Sequence, residues 1–235
     1  MQLAKKMIDI GLSTNNLEPM LRFWQEDAGL RFDHVLPVRH GVKQHRHDGM
    51  GSIVKLNHYR EPLPAAPPSC YHELVIAREG VKAPRDVADP DGNRVRLVPP
   101  GQNGVTQIGI VVRVRSLDAY RQFYGDILGF PEEPSSSGLS LRLGDSLLLI
   151  REDMGTTINP IPEAPGWRYI TLQVAEIDEF HAGLRSRGVR EGFAPVTLGD
   201  VARISMILDP DGNWIELSCR ASIEAARLEG RSTIT

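Results

Sequence analysis

The five residues "DPDGN" stand at Asp89–Asn93 and again at Asp209–Asn213. Each copy reads as a turn: the proline presets φ for the first corner, and the glycine accepts the positive φ needed to leave it. Each is followed by a run that alternates with period two, "RVRLV" (Arg94–Val98) after the first and "WIELS" (Trp214–Ser218) after the second, as a half-buried strand does. Any hairpin can use such a turn, so the repetition gains its weight from a second echo. "LEPMLRFWQEDAGL" (Leu17–Leu30) and "LDAYRQFYGDILGF" (Leu117–Phe130) match in spacing at an offset of 100 residues. Both place apolar residues at helical intervals, Leu17, Met20, Leu21, Trp24 and Ala28 in one and Leu117, Tyr120, Tyr124, Ile127 and Leu128 in the other. Both stop at a glycine, Gly29 or Gly129. Internal duplication is the reading that covers both echoes. The turns are offset by 120 residues and the helices by 100, so 20 residues entered the second half between helix and turn. They are found in "EIDEFHAGLRSRGV" (Glu176–Val189), an amphipathic helix built on Ile177, Phe180 and Leu184, where the first half has only "REGVKAPRDV".

A chain of 235 residues, 41% of them hydrophobic, can bury one large core or two modest ones. A net charge of −3 without a basic cluster argues against a nucleic-acid partner. The start, "MQLAKKMIDI", lacks the apolar stretch of a signal peptide, and no run approaches the roughly 18 apolar residues of a membrane span. The expectation is a cytoplasmic protein without a membrane partner. Cys70 and Cys219 have no metal-type spacing and read as packing residues in a reducing compartment. Neither a glycine-rich phosphate loop nor a Gly-x-Ser-x-Gly elbow is present.

Three loop-like stretches, "EPLPAAPPS" (Glu61–Ser69), "PPGQNG" (Pro99–Gly104) and "INPIPEAPG" (Ile158–Gly166), divide the chain into four modules. The first reads strand "MIDIGLS", helix, strand "FDHVLPV", then a hairpin of "VKQHRHD" and "GSIVKLNHY", which is βαβββ. The third repeats it with "QIGIVVRV", a helix, "GLSLRLG" and "SLLLIRE", its second strand being poorly marked near Pro131–Ser137. The fourth has "RYITLQV", the added helix, "APVTL", "ARISMIL" and "WIELS"; the second keeps its strands with a short or absent helix. The expected division is a first half over 1–99, a linker over 100–104, a second half over 105–220 and a polar tail over 221–235 that begins as a short helix.

Paired βαβββ modules, the "FW...GL" and "FY...LGF" helices and "DPDGNWIEL" together resemble the vicinal oxygen chelate superfamily, which includes glyoxalase I, bleomycin-resistance proteins, fosfomycin-resistance enzymes and extradiol dioxygenases. The resemblance spans roughly residues 5 to 220. It implies an α+β fold of two tandem halves, each of paired βαβββ modules, forming cupped mixed sheets with the helices outside and a ligand in the cup. The fold is nearly silent about the reaction, and it admits a homodimer.

Superfamily members usually bind a divalent metal through the start of the first strand and the middle of the last strand of each module. Carried onto this chain by spacing, the resemblance puts Asp9, Gly109 and Tyr169 at the first position of modules one, three and four, with His72 or Glu73 in module two. The last-strand positions fall on Lys55, Arg96, Leu149 and Glu216. If modules three and four share a cup it holds a single good ligand, Glu216. If modules one and two share one, anions are mixed with the fixed cations Lys55 and Arg96. A crosswise cup of modules one and four would hold Asp9, Lys55, Tyr169 and Glu216. One ammonium about 4 Å from a divalent ion costs on the order of 8 kcal/mol at an effective dielectric near 20. No metal cofactor is therefore expected, and Lys55 is expected to pair with a carboxylate and to polarise or anchor a substrate oxygen. Were a divalent metal bound, its ligands would come from Asp9, Glu216 and the strand pair His45 and His47.

Alternation sends Val54 and Leu56 towards the helices and leaves Lys55 and Asn57 facing the cup, with His58 outward. The expected catalytic set is Lys55, Glu216 and Tyr169, with Asp9, Asn57, Arg96 and Glu73 binding substrate. Ordinary structural roles compete: Asp9 at a sheet edge, Tyr169 in the core, Glu216 paired with an arginine such as Arg203, His181 on the surface of the added helix. Phe23, Trp24, Phe123 and Tyr124 read as helix-to-sheet packing. Two classes of function follow: an enzyme that acts on a small polar organic molecule without the usual metal site, and a module that only holds such a molecule. A metal-dependent lyase, epimerase or extradiol dioxygenase is the third reading and needs ligands beyond Glu216.

Overall fold

The computed structural model describes residues 3–156, 161–222 and 225. Module one comprises β1 (Asp9–Thr14), α1 (Leu17–Arg22), β2 (Arg31–Arg39), β3 (Val42–Gly49) and β4 (Ser52–Tyr59). Module two has β5 (Tyr71–Ala77), β6 (Arg85–Ala88) and β7 (Arg94–Val98) and no helix, as the missing 20 residues lead one to expect. Module three has β8 (Ile108–Val114), α2 (Leu117–Tyr120), β9 (Glu132–Glu133), β10 (Leu139–Leu143) and β11 (Ser146–Glu152). Its poorly marked second strand is two residues long. Module four comprises β12 (Gly166–Gln173), α3 (Ile177–Ser186), β13 (Arg190–Leu198), β14 (Ala202–Leu208) and β15 (Trp214–Arg220). Most of the expected tail helix lies outside the described residues.

The modules pair crosswise. One sheet runs β13-β14-β15-β12-β1-β4-β3-β2 and joins modules one and four; the other runs β6-β7-β5-β8-β11-β10-β9 and joins modules two and three. The linker at 100–104 thus connects two modules of one sheet, and each sheet draws on both halves of the sequence. β1 meets β12 antiparallel, with Asp9 opposite Thr171 and Gly11 opposite Tyr169.

Both echoes in the sequence have structural counterparts. α1 and α2 each widen after their first turn, over Phe23–Asp27 and Arg121–Ile127, with Ala28 N–H donating to Phe23 O and Leu128 N–H to Phe123 O, both at 2.9 Å. Gly29 (φ +69°) and Gly129 (φ +76°) then carry the chain out of the helix. In the "DPDGN" turns the first aspartate accepts backbone N–H groups from the third and fifth residues, at 3.1 and 2.8 Å for Asp89 and at 3.0 and 2.8 Å for Asp209. Each turn then docks on the opposite sheet. Thr14 Oγ1 donates to Asp91 at 2.5 Å, and Arg115 N–H donates to Asp211 at 3.2 Å. The turn is written twice because it serves twice, as a pseudosymmetric clasp between sheets.

Alternate strand residues and the helices merge into one core between the sheets: Ile10, Leu12, Val54 and Leu56 from the first sheet, Leu74, Ile110 and Ile150 from the second, and Met20, Trp24, Tyr120 and Tyr124 from the helices. Phe23, Trp24, Phe123 and Tyr124 are all buried, with Trp24 edge-on to Trp167 at 5.7 Å. They are packing residues, as are the buried Cys70 and Cys219. His181 is a correction: it is buried under α3, its ring nitrogens 2.9 Å from Ser205 Oγ and 2.7 Å from Glu191 Oε2. No helix among the described residues is long and apolar enough to cross a membrane.

Candidate functional site

The cup of the first sheet is built by strand alternation. On β1, Ile10 and Leu12 enter the core, so Asp9 and Gly11 take the other face. Register then places Lys55 beside Gly11, Arg46 beside Lys55, and Glu216 beside Thr171. The quartet Asp9, Lys55, Tyr169 and Glu216 therefore shares one concave surface, although its members come from opposite ends of the chain.

Lys55 Nζ lies at its centre, 2.7 Å from Glu216 Oε1 and 2.7 Å from Thr171 Oγ1, and 5.4 Å from the centroid of the Tyr169 ring. Lys55 is 3% exposed and Glu216 9%. Burial pushes the Lys55 ammonium below the usual lysine range, with the Glu216 and Asp9 charges opposing the shift. Asp9 is fully enclosed. Its burial alone would raise its pKa, but the ammonium groups of Lys5 and Lys55 outweigh that and hold the carboxyl below its ordinary value. Asp9 Oδ1 accepts from Lys5 Nζ at 2.6 Å and from Ile53 N–H at 2.9 Å. Glu216 does not meet Arg203, which pairs with Asp178 at 2.6 Å.

A second network adjoins the first. Arg46 Nη1 donates to Gln44 Oε1 at 2.6 Å, Gln44 Nε2 donates to Asn57 Oδ1 at 3.0 Å, and Asn57 Nδ2 donates to Leu12 O at 3.0 Å. The Tyr169 hydroxyl oxygen accepts from Gln44 Nε2 (3.3 Å) and Asn57 Nδ2 (3.1 Å). Burial raises the Tyr169 pKa beyond that of an ordinary phenol, so the hydroxyl keeps its proton. Gly11 makes room for this ring: a Cβ there would stand 2.2 Å from Tyr169 Cε1 and Cζ.

The histidine pair lies elsewhere. His45 and His47 stand opposite Leu56 and Val54 across the β3–β4 ladder, so they share the face of core residues and turn away from Asp9 and Glu216. Burial lowers the His47 pKa to about 4, and His47 is fully enclosed. His58 joins His45 on that outer face, with rings 6.5 Å apart. The four residues considered as metal ligands do not converge, and no group of three or more His, Cys, Asp or Glu among the described residues could hold a metal ion. The two carboxylates of the cup are each tied to an ammonium. The donor set does not fit a divalent cation.

The remaining expected binding residues fall in the other cup. Val75 stands opposite Gly109 and beside Arg96, and Glu73 Oε1 lies 3.6 Å from Arg96 Nε. Arg96 also pairs with Asp86 at 2.6 Å. Valine and leucine side chains, with Val105 from beside the linker, plug the floor around Gly109. A pocket of about 480 Å³ remains beside the plug, lined by Glu73, Arg96, Arg113 and Arg151 among others. Asp9 and Asn57 are thus separated from Arg96 and Glu73.

Residues 106–217, the second half of the chain, match the family model of the Glyoxalase/Bleomycin resistance protein/Dioxygenase superfamily, and over that half the chain is similar to that superfamily. Glyoxalase I from Zea mays has the same fold, with 14% sequence identity over 93% of this chain and 92% of that one and a TM-score of 0.64. A putative dioxygenase from Bacillus subtilis subsp. subtilis str. 168 aligns over 99% of this chain and 88% of its own, at 13% identity and a TM-score of 0.66. At these identities the likeness concerns the fold. No curated protein matches the sequence.

Proposed function

We propose that the cup shared by modules one and four binds a small polar organic molecule through an anionic or carbonyl oxygen, using the Lys55 ammonium where a metal ion would otherwise supply positive charge. The observation that carries this reading is the position of Lys55 Nζ, buried and 2.7 Å from both Glu216 and Thr171. An ammonium has three donors, and these contacts occupy two of them. The third is free to meet a ligand oxygen, while Glu216 holds the ammonium in place and Tyr169 offers a phenolic proton. Such donors in a water-poor cup stabilise developing negative charge, so the same geometry serves either a holding module or an enzyme that polarises a carbonyl.

Lys55→Met keeps much of the stem's volume and removes the charge. A thermal-shift screen of small carboxylates, aldehydes and ketones on wild type and Lys55→Met together tests the reading. Hits that raise the melting temperature of wild type alone support it; hits that bind both proteins equally overturn it. The metal-dependent alternatives, a lyase, an epimerase or an extradiol dioxygenase, have no donor set in this cup to favour them.

A further inference from the structure

The cup contains more cations than its two carboxylates answer. Lys5 is matched by Asp9 and Lys55 by Glu216, but Arg46, 5% exposed, has no ion pair among the described residues. Burial works against its charge, and Arg220 at the end of β15 adds a second positive field, against the more distant attraction of Asp9 and Glu216. A guanidinium does not escape by losing its proton. Something must answer it.

The way Arg46 is held says what. Nη1 is committed to Gln44 Oε1, and the Gln44–Asn57–Leu12 chain fixes the plane of the guanidinium. Nε and Nη2, both buried, have no hydrogen-bond partner among the described residues. These two N–H groups leave one edge of the guanidinium in parallel, the fork that matches the two oxygens of a carboxylate. Arg46 is the direct cross-strand neighbour of Lys55, which puts the fork on the same surface as the ammonium. The Tyr169 hydroxyl receives two hydrogen bonds and its own proton has no acceptor among the described residues.

We infer that the ligand of this cup carries a carboxylate, received side-on by Arg46 Nε and Nη2, with Lys55 and Tyr169 left to a further oxygen of the same molecule. The inference rests on the cup being the binding site. It makes Arg46 the specificity-determining residue and an anion the class of ligand, since Arg46 is uncompensated and Arg220 adds to the positive field around it.

The test uses matched planar pairs, benzoate with benzamide and propionate with propionamide, titrated by NMR into wild type, Arg46→Lys and Lys55→Met. The readouts are the dissociation constant and the 15N–1H signal of the Arg46 Nε–H group, assigned by its loss in Arg46→Lys. Two charge-assisted hydrogen bonds should favour each carboxylate over its amide by about tenfold or more, with the Nε–H signal shifting downfield on binding. Arg46→Lys, which keeps the charge but not the fork, should erase most of that preference while its circular dichroism stays that of wild type. If amides bind as well as carboxylates and Arg46→Lys changes neither, the inference fails and the cup survives as the site, provided Lys55→Met still weakens both. If the probes bind but Lys55→Met and Arg46→Lys leave every affinity unchanged, the cup is not the site and both readings fall.

Discussion

Breaking the Lys55–Glu216 pair should cost far more than removing both charges. In Lys55→Met, Glu216 is left buried with Thr171 Oγ1, 3.2 Å away, as its one remaining donor among the described residues. A buried carboxylate stripped of its ammonium partner costs about 4 kcal/mol. In Glu216→Gln, Lys55 is stranded beside Arg46, and discharging an ordinary lysine of pKa 10.5 at pH 7 costs about 5 kcal/mol. These figures are ceilings, because the Asp9 charge still attracts Lys55 and water can reach the rim of the cup. Losses of about 3 kcal/mol for each single variant are expected, in the range found when one partner of a buried pair is removed. The double variant Lys55→Met/Glu216→Gln strands no charge and should lose no more than either single one. Urea unfolding followed by circular dichroism at pH 7 gives the three stabilities, and the coupling energy should be about 3 kcal/mol. Additivity to within about 0.5 kcal/mol would mean that the pair is solvated and that the cup is not the dry site described above.

Three further perturbations have defined outcomes. Gly11→Ala puts a methyl group into the Tyr169 ring position, so it should lose about 1–3 kcal/mol by overpacking and weaken ligand binding more than Gly11-distant core changes of equal cost, as thermal shift with and without a bound hit would show. Tyr120→Phe removes the hydroxyl that donates to Asp209 Oδ2 at 2.7 Å; the loss of a bond to a buried carboxyl, about 2 kcal/mol, should appear in urea unfolding and be absent if the turn is not a clasp. His47 titrates with a folded pKa of about 4, depressed by burial and then by His45, against an ordinary 6.5. Its contribution is therefore complete above pH 6.5 and is lost as pH falls towards 4, about 3 kcal/mol in all. His47→Leu should flatten the stability profile in that window relative to wild type, and parallel profiles would show that His47 is not enclosed as a neutral ring.

Much of this was legible in the chain itself. The duplicated turn and helix gave the four modules, and the missing 20 residues located the absent helix. Alternation from Lys55 to Asn57 placed both on the cup face. What local pattern could not supply was pairing between distant strands, because nothing in β1 says whether β12 or β5 lies beside it. The hairpin β3–β4 shows the same limit on a smaller scale. "KQHRHDG" can turn either His45 and His47 or Gln44 and Arg46 into the cup, and the choice depends on the register set by the Gly49–Ser52 turn. Arg46 was missed for that reason. Thr171 and Gln173 could have been found, since they follow Tyr169 at every second residue on the same face. His181 was misplaced because helical periodicity reports which side of α3 is apolar and is silent about a polar pocket made by Ser205 and Glu191.

The decisive measurement is isothermal titration of the best carboxylate hit into wild-type protein, purified without a histidine tag and exhaustively treated with a chelator. Lys55 and Arg46 supply the positive charge of the cup, so binding should persist unchanged with chelator present and should not strengthen on adding zinc, manganese, nickel or ferrous iron. Binding that vanishes in chelator and returns with one equivalent of a divalent metal would contradict the reading and return the cup to metal chemistry.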